Sequence, residues 1–206
     1  MNSEAVVKER SKVQMMMLTA LMTAVICVLS PFSIPIGPVP ISLGTLALFL
    51  AVYVLGAGYG TVATILYLFI GFVGVPVFSN FSGGVGKLIG PTGGYLIGYI
   101  PMVLVAGIIV DICKRKERTI KNETDDSEKG KKYFAKIGLI RVAEGLGMVF
   151  AEVVLYVAGT AWFVYSTGTP LVAALSLCVI PFIAGDLIKI VIALVVAPLL
   201  AKGISR

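Results

Sequence analysis

The chain has 206 residues, 58% of them hydrophobic and only 14% charged, where soluble domains carry roughly 25% charge. That polar complement cannot cover a water-facing surface, so residues 1–206 read as a single integral, multi-pass domain of the cell membrane. The net charge of +6 sits beside apolar segments rather than among interleaved aromatics, which excludes a nucleic-acid surface and marks contact with the lipid bilayer.

A bilayer core needs about 20 mostly apolar residues per helix. The first such segment is 13–30, flanked by Lys8, Arg10 and Lys12. A basic start followed by an apolar run has the outline of a signal peptide. No small-x-small cleavage site closes it, however, and further apolar segments follow at once, so it reads as a retained first helix. Within it Ala20 and Ala24 lie four apart, a spacing that makes a flat strip for close helix contact. Next comes "SPFSIPIGPVPISLGTL", in which Pro31, Pro35, Pro38 and Pro40 predict a stiff, extended outer loop.

Segments 41–55 and 59–73 are short for spanning and are joined by "GAGYG". The stretch "SNFSGGVGKLIGPTGGY" then interrupts the apolar pattern over 79–95. It is not a phosphate loop, because Gly86-Lys87 is followed by Leu88, with no hydroxyl for Mg²⁺, and Phe81 stands at the first glycine position. Gly83, Gly84, Gly93 and Gly94 permit backbone shapes that bring N–H and C=O groups to a ligand. Pro91 suits the first turn of a helix, where Thr92, Gly93 and Gly94 would offer free N–H groups to an acceptor. A re-entrant loop that only plugs helix packing is the alternative reading.

The fourth segment, 91–112, runs into "KRKERTIKNETDDSEKGKKY", which mixes both charge signs and predicts a hydrophilic cytoplasmic loop over 113–133. Segments 134–165 and 171–200 complete the chain. With the N-terminus inside, every basic cluster falls on the cytoplasmic side, and the outer loops hold one basic residue, Lys87. This asymmetry predicts an all-α membrane protein of six transmembrane helices, with both termini cytoplasmic and outer loops capping a ligand pocket.

Ionisable residues inside spans mark function by default. Arg141 and Glu144, three apart, can pair and snorkel toward the inner surface. Glu152 lies deeper, and two roles are open to it: lining a cavity or meeting a partner. Asp186 and Lys189, in "PFIAGDLIK", share one helix face. They form either a structural ion pair between helices or the polar grip of a ligand, in which Lys189 meets a carboxylate and Asp186 accepts an N–H or steadies Lys189. The chain has no histidine, and Cys27, Cys113 and Cys178 are scattered, so a metal site and a Cys/His nucleophile pair are excluded. No catalytic residues and no cofactor are expected.

Three stretches together, "PIGPVPISLGTL", "GVPVFSNFSGGVGKLIGPTGGYLIGY" and "PFIAGDLIK", resemble the BioY family, the biotin-binding S-components of energy-coupling factor (ECF) transporters. The resemblance runs from the Ala20/Ala24 strip to Lys189. It implies a six-helix fold that captures biotin near the outer face and delivers it inward. It also implies a transmembrane T-component and two ATP-binding cassette ATPases as partners, with Ala20 and Ala24 facing the T-component; a homo-oligomer is compatible with it. The site it implies comprises Asp186, Lys189, Ser82, Gly83, Gly84, Thr92, Gly93, Gly94 and Tyr95, with Tyr156 on the pocket wall. This sequence departs from some relatives at Ser82 (Asn), Leu96 (Arg) and Gly44 (Gln). An S-component for another small vitamin-like solute is the alternative, and an intramembrane enzyme would have only Asp, Glu and Lys to work with.

Overall fold

The computed structural model describes residues 11–36, 38–123 and 131–204. Lys8, Arg10, Lys129 and Arg206, four of the basic residues that flank the apolar segments, lie outside these residues. Helix α1 (Lys12–Leu29) opens on a capping box, in which Ser11 Oγ accepts the Gln14 N–H at 3.3 Å and Gln14 Oε1 accepts the Ser11 N–H at 3.0 Å. It buries Thr19, Met22, Thr23 and Ile26 and leaves Ala20 and Ala24 exposed. A short antiparallel hairpin follows, β1 (Ser33–Ile34) with β2 (Ile41–Ser42), in the register Ser33↔Ser42 and Ile34↔Ile41. The proline-rich segment is the link between these strands.

Helix α2 (Gly44–Phe72) is broken at Gly56, whose φ of 79° and ψ of −176° leave the helical region. Positive φ suits glycine, which lacks the Cβ that would clash. Residues eight apart in an unbroken helix are separated by about 12 Å. Here a Cβ on Gly60 would come within 3.4 Å of Val52 Cα, so the second arm folds back against the first. Of the join "GAGYG", Gly56 alone leaves the helical region.

The break is held from α4 (Gly93–Glu123). Asp111 Oδ2 accepts the Ala57 N–H at 3.0 Å, at the start of the second arm. Lys114 Nζ donates to the Tyr53 carbonyl, at the end of the first arm, and lies 4.0 Å from the Tyr53 ring centroid. An acid thus meets a helix N-terminus and a base a helix C-terminus, the pairing that the helix dipole favours. Arg141 extends this cluster. It donates to Tyr53 Oη and to Glu144 Oε2 (2.9 Å) and lies 3.6 Å from Glu117. The Arg141–Glu144 pair expected from sequence is formed.

The segment after α2 carries a small helix, α3 (Val85–Ile89), with Lys87 on it. This segment is stitched to the hairpin. The Asn80 N–H donates to the Pro31 carbonyl (3.1 Å) and to Ser33 Oγ (2.9 Å), and Phe32 meets Phe81 edge-on with ring centroids 5.5 Å apart.

Helix α4 packs most extensively against α2 and α5 (Lys131–Thr167). Contact is close because a Cβ on Gly94 would lie 2.1 Å from Trp162 Cβ, and one on Gly159 would lie 2.3 Å from the Tyr95 ring. The expected cytoplasmic loop is shorter than its sequence suggests, since α4 continues to Glu123 and α5 begins at Lys131. Lys, Arg and Glu are good helix formers, and Glu117 stands four residues before Lys121, so a polar stretch that cannot enter a core still extends a helix. The final segment divides into α6 (Leu171–Cys178) and α7 (Ile180–Ile204), separated at Val179.

Among the described residues, five helices are long and apolar enough to cross a membrane: Lys12–Leu29, Gly44–Phe72, Gly93–Asn122, Ala135–Thr167 and the combined Leu171–Ala201. Their flanks carry exposed apolar side chains such as Phe69, Ile108, Val157 and Val191, as a lipid-facing surface requires.

Candidate ligand site

Asp186 and Lys189 stand one turn apart on α7, both buried, at 5% and 7% exposure. Lys189 Nζ donates to Asp186 Oδ1 at 2.8 Å and to Thr45 Oγ1 at 3.2 Å. Tyr156, on α5, donates its hydroxyl to Asp186 Oδ2 at 2.5 Å. Three helices therefore meet at one ion pair, and both carboxylate oxygens of Asp186 are occupied. A buried pair survives in low dielectric only when its remaining hydrogen-bonding capacity is met, and Thr45 and Tyr156 meet part of it here.

Glu152 lies one turn before Tyr156 on α5 and is 3% exposed. Neither of its carboxylate oxygens has a hydrogen-bond partner among the described residues. Tyr95, at the start of α4, bonds Thr160 Oγ1 (3.1 Å) and donates to the Cys178 carbonyl (3.2 Å), tying α4 to α5 and α6.

Two spaces adjoin this cluster. One is a groove of about 610 Å³ along α5, α6 and α7, lined mainly by apolar side chains such as Val153, Val157, Leu175 and Ile183. The other is a cavity of about 50 Å³ beneath the hairpin, lined by Val39, Pro40, Ser42, Tyr95, Tyr99 and Phe182 together with Thr45 and Lys189. Glu152, Tyr156 and Asp186 border both. Volume and chemistry favour different spaces. The groove has room but opens on a flank where Val157 is 65% and Leu187 47% exposed, whereas the polar groups converge on the small cavity. A site that discriminates by hydrogen bonding needs the latter.

Of the residues singled out from sequence, the structure brings Asp186, Lys189, Tyr156 and Tyr95 together around the small cavity. Ser82, Gly83, Gly84, Thr92, Gly93 and Gly94 line neither space. Ser82 Oγ bonds the Ser79 carbonyl at 2.7 Å. The N–H groups of Gly84 and Gly93 are taken by the carbonyls of Gly71 (2.7 Å) and Gly90 (2.9 Å). The expected free N–H of Gly93 is thus spent within the chain. Gly93 and Gly94 pack closely, against the Leu88 carbonyl and Trp162.

Sequence reasoning missed Thr45, Ser42 and Tyr99. The four-residue spacing of Tyr95 and Tyr99 along α4 was the available signal for Tyr99. Ser42 and Thr45 lie in "PIGPVPISLGTL", but no spacing within it singles them out, and it is the hairpin-to-α2 turn that brings them to the cavity. Ser30, Ser42 and Tyr99 Oη crowd Gly44, where an added Cβ would lie 3.0–3.4 Å from their oxygens.

The fold and site define a multi-pass, all-helical membrane protein with an enclosed polar cluster beneath its loops. The BioY family profile matches residues 2–206, and the chain belongs to the BioY family. It is 39% identical over 180 residues to the biotin transporter BioY of Thermotoga maritima, covering 87% of this chain and 91% of that one. It is 32% identical over 198 residues to the biotin transporter BioY2 of Lactococcus lactis subsp. cremoris, covering 96% of each. The crystal structure of an S-component for biotin from an ECF-type ABC transporter superposes with a TM-score of 0.72 at 28% identity, over 93% of this chain and 92% of that one.

Proposed function

We propose that this protein is the biotin-binding S-component of an ECF-type importer, taking biotin from the outer side of the cell membrane and presenting it inward. The observation that carries this reading is the buried Asp186–Lys189–Tyr156–Thr45 cluster beneath the hairpin, in a chain whose relatives are named biotin transporters. Biotin offers an apolar bicycle, a ureido group with N–H donors and a carbonyl, and a carboxylate tail. The cluster supplies an ammonium, hydroxyls and carboxylates beside Val39, Leu155 and Phe182, which match those groups in kind.

A cavity of about 50 Å³ holds a water or two at about 30 Å³ each, so biotin enters as the hairpin and the 79–95 segment shift outward. Ser82, Gly83, Gly84 and Thr92–Tyr95 then form the cover of the occupied pocket. The two arms of α2 count as separate spans in this reading, giving six with both termini cytoplasmic. Ala20 and Ala24, exposed on α1, face the T-component, through which two ATPases drive transport; the S-component itself performs no chemistry on its ligand. The test is a titration of labelled biotin against the purified, folded protein, with other vitamins as competitors. Saturable binding that only biotin displaces supports the assignment. Folded protein that binds no biotin rejects it.

A further inference from the structure

We propose that Glu152 is the acceptor that engages a ureido N–H of biotin, an inference that rests on the biotin reading above. Most of the hydrogen-bonding capacity around the cavity is already spent. Asp186, the more conspicuous carboxylate, has Oδ1 on Lys189 and Oδ2 on Tyr156. Lys189 is committed to Asp186 and Thr45. Tyr95 Oη is committed to Thr160 and the Cys178 carbonyl. Glu152 borders the same cavity, is 3% exposed, and has neither oxygen bonded among the described residues. A buried acceptor without a donor is costly, so this geometry is completed by a ligand that brings donors.

Charge points the same way. Two carboxyl groups, Glu152 and Asp186, and one ammonium, Lys189, line the cavity. The carboxylate of the biotin tail would bring a charge and no donor to this pair of carboxyl groups. A ureido N–H adds no charge and supplies the missing donor. Asp186 then serves as the fixed brace that aims Lys189 and Tyr156, and Glu152 as the group left free to meet the ligand.

The experiment measures binding of three ligands to wild type and Glu152→Gln in detergent: biotin, biotin methylated on both ureido nitrogens, and biotin methyl ester. Glu152→Gln keeps the shape and replaces one acceptor oxygen with an NH2 donor. Leaving one partner of a buried hydrogen bond unsatisfied corresponds to roughly a five- to hundredfold change in affinity. The expected result is a loss of about tenfold or more for biotin and for the methyl ester, and no further loss for the N-methylated analogue. Equal or tighter biotin binding by Glu152→Gln overturns the proposal, as does a loss that disappears when the tail is esterified. Infrared difference spectra provide a readout that does not depend on the analogue binding. Adding biotin perturbs a carboxylate band in wild type that Glu152→Gln lacks, with Glu152→Asp used for assignment where Glu152→Gln does not fold. An unperturbed band overturns the proposal. Wild-type protein that is folded yet binds no biotin removes the biotin reading itself, an outcome distinct from a wild type that binds and a variant that binds equally well.

Discussion

Tyr156 on α5 donates its hydroxyl to Asp186 Oδ2 on α7, 2.5 Å away, and so bridges two helices through the carboxylate that also holds Lys189. Removing that hydroxyl with Tyr156→Phe leaves one buried oxygen unsatisfied, at a cost of about 1–3 kcal/mol. Lower thermal stability in detergent and roughly tenfold weaker biotin binding are expected together. A stability loss with unchanged biotin affinity would place Tyr156 outside the ligand's reach.

Breaking the ion pair on one side should be worse. Lys189→Met strands the buried Asp186 charge, and losing one partner of a buried pair costs about 3–5 kcal/mol. Replacing both residues, as Asp186→Leu with Lys189→Met, removes the stranded charge as well. The double variant is expected to melt near or above wild type while binding no biotin. If it regains binding along with stability, the pair is structural only.

The close approach of α4 and α5 predicts a steric effect without an electrostatic one. In Gly94→Ala the new Cβ falls 2.1 Å from Trp162 Cβ, so the helices must part or Trp162 must turn, and such overpacking costs typically 1–3 kcal/mol. Trp162 Nε1 also donates to the Gly90 carbonyl at 3.0 Å. Shifted tryptophan fluorescence should therefore accompany the lower melting temperature. Trp162 is the sole tryptophan in the chain, which makes the signal unambiguous.

Ala20 and Ala24 are exposed on α1, facing away from its buried Thr19, Met22, Thr23 and Ile26. Ala20→Trp or Ala24→Trp should leave biotin binding to the isolated protein intact and abolish uptake by cells that carry the full transporter. Loss of both functions would mean that the strip matters for folding.

The sequence disclosed the lipid-facing nature of the chain and the Asp186–Lys189 pair, because charges one turn apart stand out in an apolar run. Glu152 was visible as an anomaly, but its lack of partners is a property of the assembled bundle. The glycines were ambiguous for a physical reason. A missing Cβ serves ligand access and helix contact equally well, and only the assembled structure brings the Leu88 carbonyl against Gly93 and Trp162 against Gly94. The charged stretch after residue 113 has the composition of a loop because composition reports solvation and not backbone conformation. Helix α4 shows that solvated residues can remain helical as far as Glu123.

The single-residue break at Gly56 leaves the chain no slack. Asp111 bonds the residue just after it, and Lys114 bonds a carbonyl three residues before it. A reporter or epitope tag spliced in at this point would pull both contacts apart at once, even though the site lies between two helical arms and would look, on a hydropathy plot, like an ordinary connecting loop. Protein engineers seeking a permissive insertion point should avoid it.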